Sequence, residues 1–237
     1  MTIGIIGAMA DEVSGLIDSL SSQNTVSIAG LNFIEGILGN KSVIVVRCGI
    51  GKVNAAMCSQ LLIDRFHVKA IINTGVAGGI SDKVEIGDIV ISTAALHHDF
   101  DTTVFGYELG QIPGMDDSRF SADPQLVQTA VSAATDIVGK KRTHLGLVVS
   151  GDQFISTIVH KEKLAQVFNP TCAEMEGAAI AHISYLNELP FVIIRTISDK
   201  ADNSAPANFD KFTKQIILTL NSIVSTVVAN YSVCSKA

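Results

Sequence analysis

The sequence predicts an α/β fold built on a sheet covered on both faces, organised as one domain over residues 1–237. Three observations carry this. Short β-branched apolar runs alternate along the chain with segments of helical periodicity, the signature of a layered α/β architecture. Apolar residues make up 47% of the chain yet are broken into short runs by Gly, Asn and Asp, as in strands buried on both faces. No repeat, low-complexity tract or Pro/Ser linker marks a boundary, and 237 residues suit one large α/β domain.

Taken in order, strand-like runs fall at residues 3–8, 31–38, 43–48, 70–73, 89–92, 145–150, 171–173 and 191–197. The first opens the chain as a buried strand. Residues 52–66 are long enough for a helix. Phe209, Phe212, Ile216, Leu220, Ile223 and Val227 step by threes and fours down one face of a second helix. Residues 93–121 form the one irregular stretch, too long for an ordinary connection, and loops of that length serve as lids or contact surfaces. Phe191-Val192-Ile193-Ile194 is too short for a helix core, so Asp199 is expected at a strand's carboxyl end, where open α/β sheets gather their ligands.

Bulk properties exclude several classes. A formal charge of -6 without a Lys/Arg run gives no footprint for nucleic acid or an anionic membrane surface. The amino terminus lacks a basic region and meets Asp11-Glu12 too soon for a signal peptide or a membrane span. Cys48, Cys58, Cys172 and Cys234 show no metal or redox spacing, and a reduced cytoplasm fits them best.

Gly49-Ile50-Gly51-Lys52 fails as a phosphate loop, because Val46 stands where the first Gly belongs and no Ser or Thr follows Lys52. It fails equally as a dinucleotide fingerprint and reads as a permissive strand-to-helix turn that a ligand can approach. Gly75-Val76-Ala77-Gly78-Gly79 is either a tight turn or a backbone built for close ligand approach. The adjacent histidines of His97-His98-Asp99 point to opposite faces of an extended segment and share an ion poorly, so no metal is expected. No GxSxG elbow is present, which removes covalent acyl chemistry. Carboxylates are left as acid and base. Glu12, Glu174, Glu176 and Asp199 each follow a strand and converge on one sheet edge if the strands are parallel. Singly, Glu12 and Glu176 read equally well as first-turn helix acids, Asp199 as a helix cap, and Arg195 as a structural partner of Glu174.

Over nearly its whole length the chain resembles the methylthioadenosine/S-adenosylhomocysteine nucleosidases, within the purine nucleoside phosphorylase-like group. The resemblance is carried by Gly4-Ile5-Ile6-Gly7-Ala8-Met9 with Glu12, Gly49-Ile50-Gly51-Lys52-Val53, Asn73-Thr74-Gly75 with Ala77-Gly78-Gly79, Phe105-Gly106-Tyr107-Glu108, Ser150-Gly151-Asp152 with Phe154-Ile155, Glu174-Met175-Glu176, and Ser198-Asp199, in this order. It implies a mixed, largely parallel twisted sheet flanked by helices, an adenine nucleoside as small-molecule partner, and a homodimer in which Phe105 and Pro113 complete the partner's site; no cofactor is expected, since acid, base and ribose clamp are all side chains.

The resemblance also implies roles. Glu12 activates water; Asp199 protonates adenine N7 with Ser198 assisting; Glu176 holds the ribose hydroxyls; Arg195 orients Glu176 and the water. Such a pair of carboxyl groups is what hydrolysis through an oxocarbenium-like ribose demands. Phe154 stacks on adenine, unless it is ordinary core packing, and the Ile155 backbone reads the base edge. Met9, Ile50, Met175 and Phe209 surround the 5′-alkylthio group and ribose, and Val76, Ala77 and Gly78 form the ribose-proximal loop. Val76 departs from the pattern, standing where Ser is frequent. The alternatives are a nucleoside phosphorylase, disfavoured because Asn73 stands where related phosphorylases carry Arg, and a noncatalytic nucleoside-binding module.

Overall fold

The structure, a computed structural model, describes residues 1–232, apart from the side chains of residues 210–215. Of the residues singled out in the sequence, Cys234 and the Phe212 side chain lie outside the described residues. The chain runs β1 (Thr2–Gly7), α1 (Ala10–Asp18), β2 (Ser21–Ile28), β3 (Leu31–Leu38), β4 (Lys41–Arg47), α2 (Lys52–Phe66), β5 (Ala70–Gly79), β6 (Ile89–His97), β7 (Phe120–Ser121), α3 (Pro124–Val138), β8 (Thr143–Ser150), α4 (Ile158–Phe168), β9 (Cys172–Glu174), α5 (Gly177–Leu186), β10 (Phe191–Asp199) and α6 (Ala205–Asn230).

All ten strands join one mixed sheet of order β10-β6-β8-β9-β5-β1-β4-β3-β2, with β7 on β6 and β10 also paired to β5. That extra pairing closes β5, β10, β6, β8 and β9 into a ring from which β1, β4, β3 and β2 extend. Strand alternation explains why both faces need cover. Ile3 and Ile5 of β1 and Val43 and Val45 of β4 face one core with Val13 and Leu16 of α1 and Leu220, Ile223 and Val227 of α6. Ile6, Ile44 and Val46 face the other, with Cys58 and Leu62 of α2 and Ala178 and Ile180 of α5. Local chemistry sets the helix starts: Asp123 accepts from the Leu126 N–H ahead of Pro124, and Thr157 accepts from the His160 N–H.

Four readings of the sequence are corrected. β2, Ser-Ser-Gln-Asn-Thr-Val-Ser-Ile, was not foreseen; it is an exposed edge strand whose polar residues carry no apolar alternation. Gly75–Gly79 does not turn away after the strand but continues β5, because β10 pairs along it as far as Gly78 and β9 takes up Gly78 and Gly79. The irregular stretch is shorter than 93–121, since β6 runs on to His97 and β7 pairs Phe120 with Ala95. Nor need all the strands be parallel to gather the acids: β9 is parallel to β8 but antiparallel to β5.

β9 is seated by a close approach. The Thr171 N–H bonds Leu147 O at 2.8 Å, and a Cβ at Gly146 would run into the Thr171 side chain. Gly146→Ala should therefore lower unfolding stability by about 1–3 kcal/mol, read from the urea midpoint; an unchanged midpoint would mean that Thr171 yields freely.

Candidate active site

The site grows from a change of partner along β5. One edge pairs with β10. The other pairs with β1 from Ala70 to Asn73 and with β9 only at Gly78 and Gly79. Between them, residues 74–77 face a gap in the sheet, a switch point of the kind where α/β folds hold ligands. Glu12, in the first turn of α1, fills the near end: its Oε1 accepts from Val76 N–H at 3.0 Å, and its Oε2 from Ala8 and Met9 N–H at 2.7 and 2.9 Å. Glu174 enters from the far side, because antiparallel pairing of Ala173 with Gly78 aims the next residue back along β5.

Arg195 of β10 pairs in register with Gly75 and is 1% exposed. Its Nη2 donates to Glu174 Oε2, to Asn73 Oδ1 at 2.7 Å, and lies 3.9 Å from Glu176 Oε2. Asn73 in turn donates to Ile6 O, stitching β1 to β5. Glu174 also accepts from Ser150 Oγ and from the Gly177 N–H that opens α5, while Glu176 accepts from Gly51 N–H at 2.8 Å. One cation therefore faces Glu12, Glu174 and Glu176. Burial opposes charge on Glu174, but Arg195 and its hydrogen bonds outweigh it and hold the carboxyl below the usual range. Burial and then the neighbouring Glu174 charge push Glu176 up, and burial raises Glu12 despite Arg195 and three N–H donors.

Asp199 ends β10. The register of β10 on β5 shifts between Ile197 and Asp199, a bulge that lets consecutive residues Ser198 and Asp199 both line the cavity where regular alternation would send one away. Asp199 Oδ2 accepts from Ser198 Oγ at 2.8 Å and Oδ1 from Ala201 N–H at 2.8 Å, yet burial still raises its pKa. Glu12 is anchored at Val76 and Asp199 pairs with Gly78, two residues on, which separates the two stations by ~7 Å of strand rise.

The cavity between them is about 370 Å³. Of the sequence-predicted residues, Met9, Glu12, Ile50, Val76, Ala77, Gly78, Phe154, Ile155, Met175, Glu176, Ser198, Asp199 and Phe209 line it. Phe154, 46% exposed, stands at the mouth edge-on to Phe209, with ring centroids 5.9 Å apart. Arg195 is buried behind the carboxylates and does not line the cavity. Phe105 and Pro113 also lie away from it in this single chain, with Phe105 77% exposed. Sequence reasoning left out Ala8, Gln153 and Ala173, which carry no chemical signal, and Asn73 as a partner of Arg195. Glu174, read in the sequence as one of four converging carboxylates and as a partner for Arg195, also lines the cavity and pairs with Arg195.

A model of the phosphorylase superfamily matches residues 2–229. The chain is 46% identical over 214 residues to the 5′-methylthioadenosine/S-adenosylhomocysteine nucleosidase of Shewanella sediminis (strain HAW-EB3), an alignment covering 90% of this chain and 92% of that one. Among solved structures, the corresponding nucleosidase from Neisseria meningitidis, in complex with methylthio-immucillin-A, superposes with a TM-score of 0.93 at 38% identity over 97% of this chain and 99% of that one. Futalosine hydrolase of Helicobacter pylori strain 26695 superposes with a TM-score of 0.92 at 29% identity over 98% of each chain. This chain belongs to the methylthioadenosine/S-adenosylhomocysteine nucleosidases.

Nucleosidase membership accords with where the glycine turn points. Gly49 and Gly51 adopt φ of 87° and 99°, and the N-terminus of α2 that this turn opens is occupied by the chain's own carboxylates: Gly51 N–H bonds Glu176, and Lys52 N–H bonds Asp152 at 2.8 Å. Among the described residues no Lys, Arg or His lines the cavity. A phosphate bound beside the ribose would face Glu12 and Glu176 with no cation of its own.

At Gly75 the Arg195 guanidinium and the Glu12 carboxylate both pass through the space a Cβ would take. Gly75→Ala should displace both groups and cut nucleosidase turnover by about 10²-fold, with far-UV circular dichroism unchanged. Turnover within threefold of the unmodified protein would show that these two groups tolerate displacement.

Proposed function

We propose that this protein hydrolyses the N-glycosidic bond of methylthioadenosine, S-adenosylhomocysteine and 5′-deoxyadenosine, releasing adenine and the corresponding ribose product. The observation that carries this reading is the surplus of buried carboxyl groups over cations around a largely apolar cavity. Such a surplus stabilises a cationic ribose and repels a phosphate nucleophile. Glu12, made more basic by burial, takes a proton from water as the water oxygen bonds C1′. Asp199, whose pKa burial raises, delivers a proton to N7 as the bond to N9 breaks, with Ser198 holding its carboxyl. Glu176 accepts the ribose hydroxyls, and Arg195, 3.9 Å from it, holds it and Glu174 in place. Phe154 stacks on adenine beside the Ile155 backbone. Val76, Ala77 and Gly78 wall the ribose, while Met9, Ile50, Met175 and Phe209 enclose the 5′ substituent in an apolar surround that favours a thioether over a hydroxyl.

The same reading makes the working form a homodimer in which Phe105 and Pro113 of the partner subunit close the cavity. Ile50 at the mouth is 56% exposed, and the 102–115 stretch displays Val104 and Phe105 to water, so two apolar surfaces in one chain lack cover. Cys48, Cys58 and Cys172 are buried free thiols, as suits a cytoplasmic enzyme.

Glu12→Gln and Asp199→Asn should each lower turnover by about 10²–10⁴-fold, followed as adenine release from methylthioadenosine with and without phosphate. The acid limb of kcat/KM, where Glu12 becomes protonated as pH falls, should lie above the ordinary glutamate range and disappear in Glu12→Gln. Release that needs phosphate would establish the phosphorylase instead, and adenine binding without release the noncatalytic module.

Mixing Phe105→Ala with Asp199→Asn subunits should assemble one site with both defects and one with neither, restoring up to roughly half the activity. No recovery despite confirmed subunit exchange, or a fully active monomer, would sink the shared site.

A further inference from the structure

His97-His98-Asp99 is the one sequence motif that the proposed reaction leaves idle. Among the described residues no group of three or more His, Cys, Asp or Glu could hold an ion. What the motif does instead is grip the loop that follows β8. His98 N–H donates to Ser150 O at 2.9 Å, and Gly151 packs so tightly on His98 that a Cβ there would meet the imidazole at 2.5 Å and the Asp99 carboxyl at 3.0 Å. Asp99 Oδ2 then accepts from Asp152 N–H at 3.0 Å. Its Oδ1 takes the Lys52 ammonium at 2.6 Å. The circuit closes through the backbone, because Lys52 N–H donates to Asp152 Oδ1 at 2.8 Å.

This circuit lies outside the cavity, since none of Lys52, Asp99 and Asp152 lines it. Its two ends nevertheless abut residues that do. Gly51, one residue before Lys52, donates to Glu176. Gln153, Phe154 and Ile155 follow Asp152 directly and form the wall assigned above to the base. No helix or strand spans residues 151–157; besides the Gly151 N–H bond to Glu174 O and the core packing of Ile155, these bonds are what tie that wall to α2. The side chains of Lys52 and Asp99 are only 21% and 15% exposed, which limits how far water screens the pair.

We infer that Asp99 and Lys52 are positioning residues of the base subsite: through Asp152 they fix the distance between the wall carrying Phe154 and the turn that orients Glu176. The inference rests on the reading that adenine lies against Phe154. Loosening the circuit lets the wall drift from the ribose grip, so base affinity falls while the acid and base, on β10 and α1, stay in place.

The test compares Asp99→Asn, Lys52→Met and Lys52→Arg by kcat and KM for methylthioadenosine and by the inhibition constant of free adenine. Asp99→Asn and Lys52→Met should raise KM and the adenine inhibition constant together by about tenfold, change kcat by less than about threefold, and leave the melting temperature within a few degrees. Lys52→Arg, which keeps the ion pair, should return both constants most of the way. An unchanged adenine constant, a loss confined to kcat, or Lys52→Arg no better than Lys52→Met would overturn the positioning role. Should Asp99→Asn fail to fold, the two Lys52 variants decide the matter alone. Unmodified protein that neither releases nor binds adenine would overturn the functional reading and this inference with it. Unmodified protein that does both, matched by its variants, would overturn the inference only.

Discussion

The site depends on one buried guanidinium shared among three glutamates. Arg195 cannot shed its proton and has no access to water, so its charge must be met inside the protein. Glu174 meets it directly, together with Asn73, while Glu12 and Glu176 sit close enough to feel it without pairing as tightly. Three carboxyl groups and one cation cannot all be ionised cheaply in a region of low dielectric. The protein's solution is visible in opposed pKa directions: Glu174 is held down, and Glu12 and Glu176 are pushed up. A cation forming between them would favour the ionised forms of Glu12 and Glu176, and that is where the ribose is proposed to become one.

Much else follows from housing that network. Gly75 has no side chain because the guanidinium and the Glu12 carboxylate occupy its place. Asn73 is short and bifunctional, since it must hold β1 through Ile6 O while accepting from Arg195. β9 is only three residues long, pairing the end of β5 just far enough to deliver Glu174 before α5 begins. The opening of α5 then supplies the Gly177 N–H that Glu174 also needs, so the shift from strand to helix is itself part of the charge balance.

Composition and periodicity were enough to read the α/β class, because buried strands must be apolar and helices must present a stripe. They missed β2, whose polar edge has no core to face, and they ended β5 at Asn73, because small residues such as Gly75, Gly78 and Gly79 look like a turn until their neighbours on both edges are known. Glu12, Glu174, Glu176 and Asp199 stood out only together, since a single carboxylate after a strand is more often a helix cap or first-turn acid, and it was the family resemblance that separated Glu12 and Asp199 from the other two. The deeper placement of Arg195 was ambiguous between partner of Glu174 and residue of the site, since a distance of 3.9 Å to Glu176 and a hydrogen bond to Glu174 arise only once β9 has been laid against β5. The grip of Asp99 on Lys52 joins positions 47 residues apart and left no local trace in the sequence.

Val76 shows how a departure from pattern is absorbed. A serine there would add a hydroxyl to the wall proposed to face the ribose, and its loss looks serious on paper. The contact that matters to Glu12, however, is made by the Val76 backbone N–H, which any residue but proline supplies. The side chain that replaces the hydroxyl is apolar, mostly buried and part of the cavity lining. Valine at this position therefore removes one hydrogen-bonding group while keeping the backbone contact that anchors Glu12, on which water activation is proposed to rest.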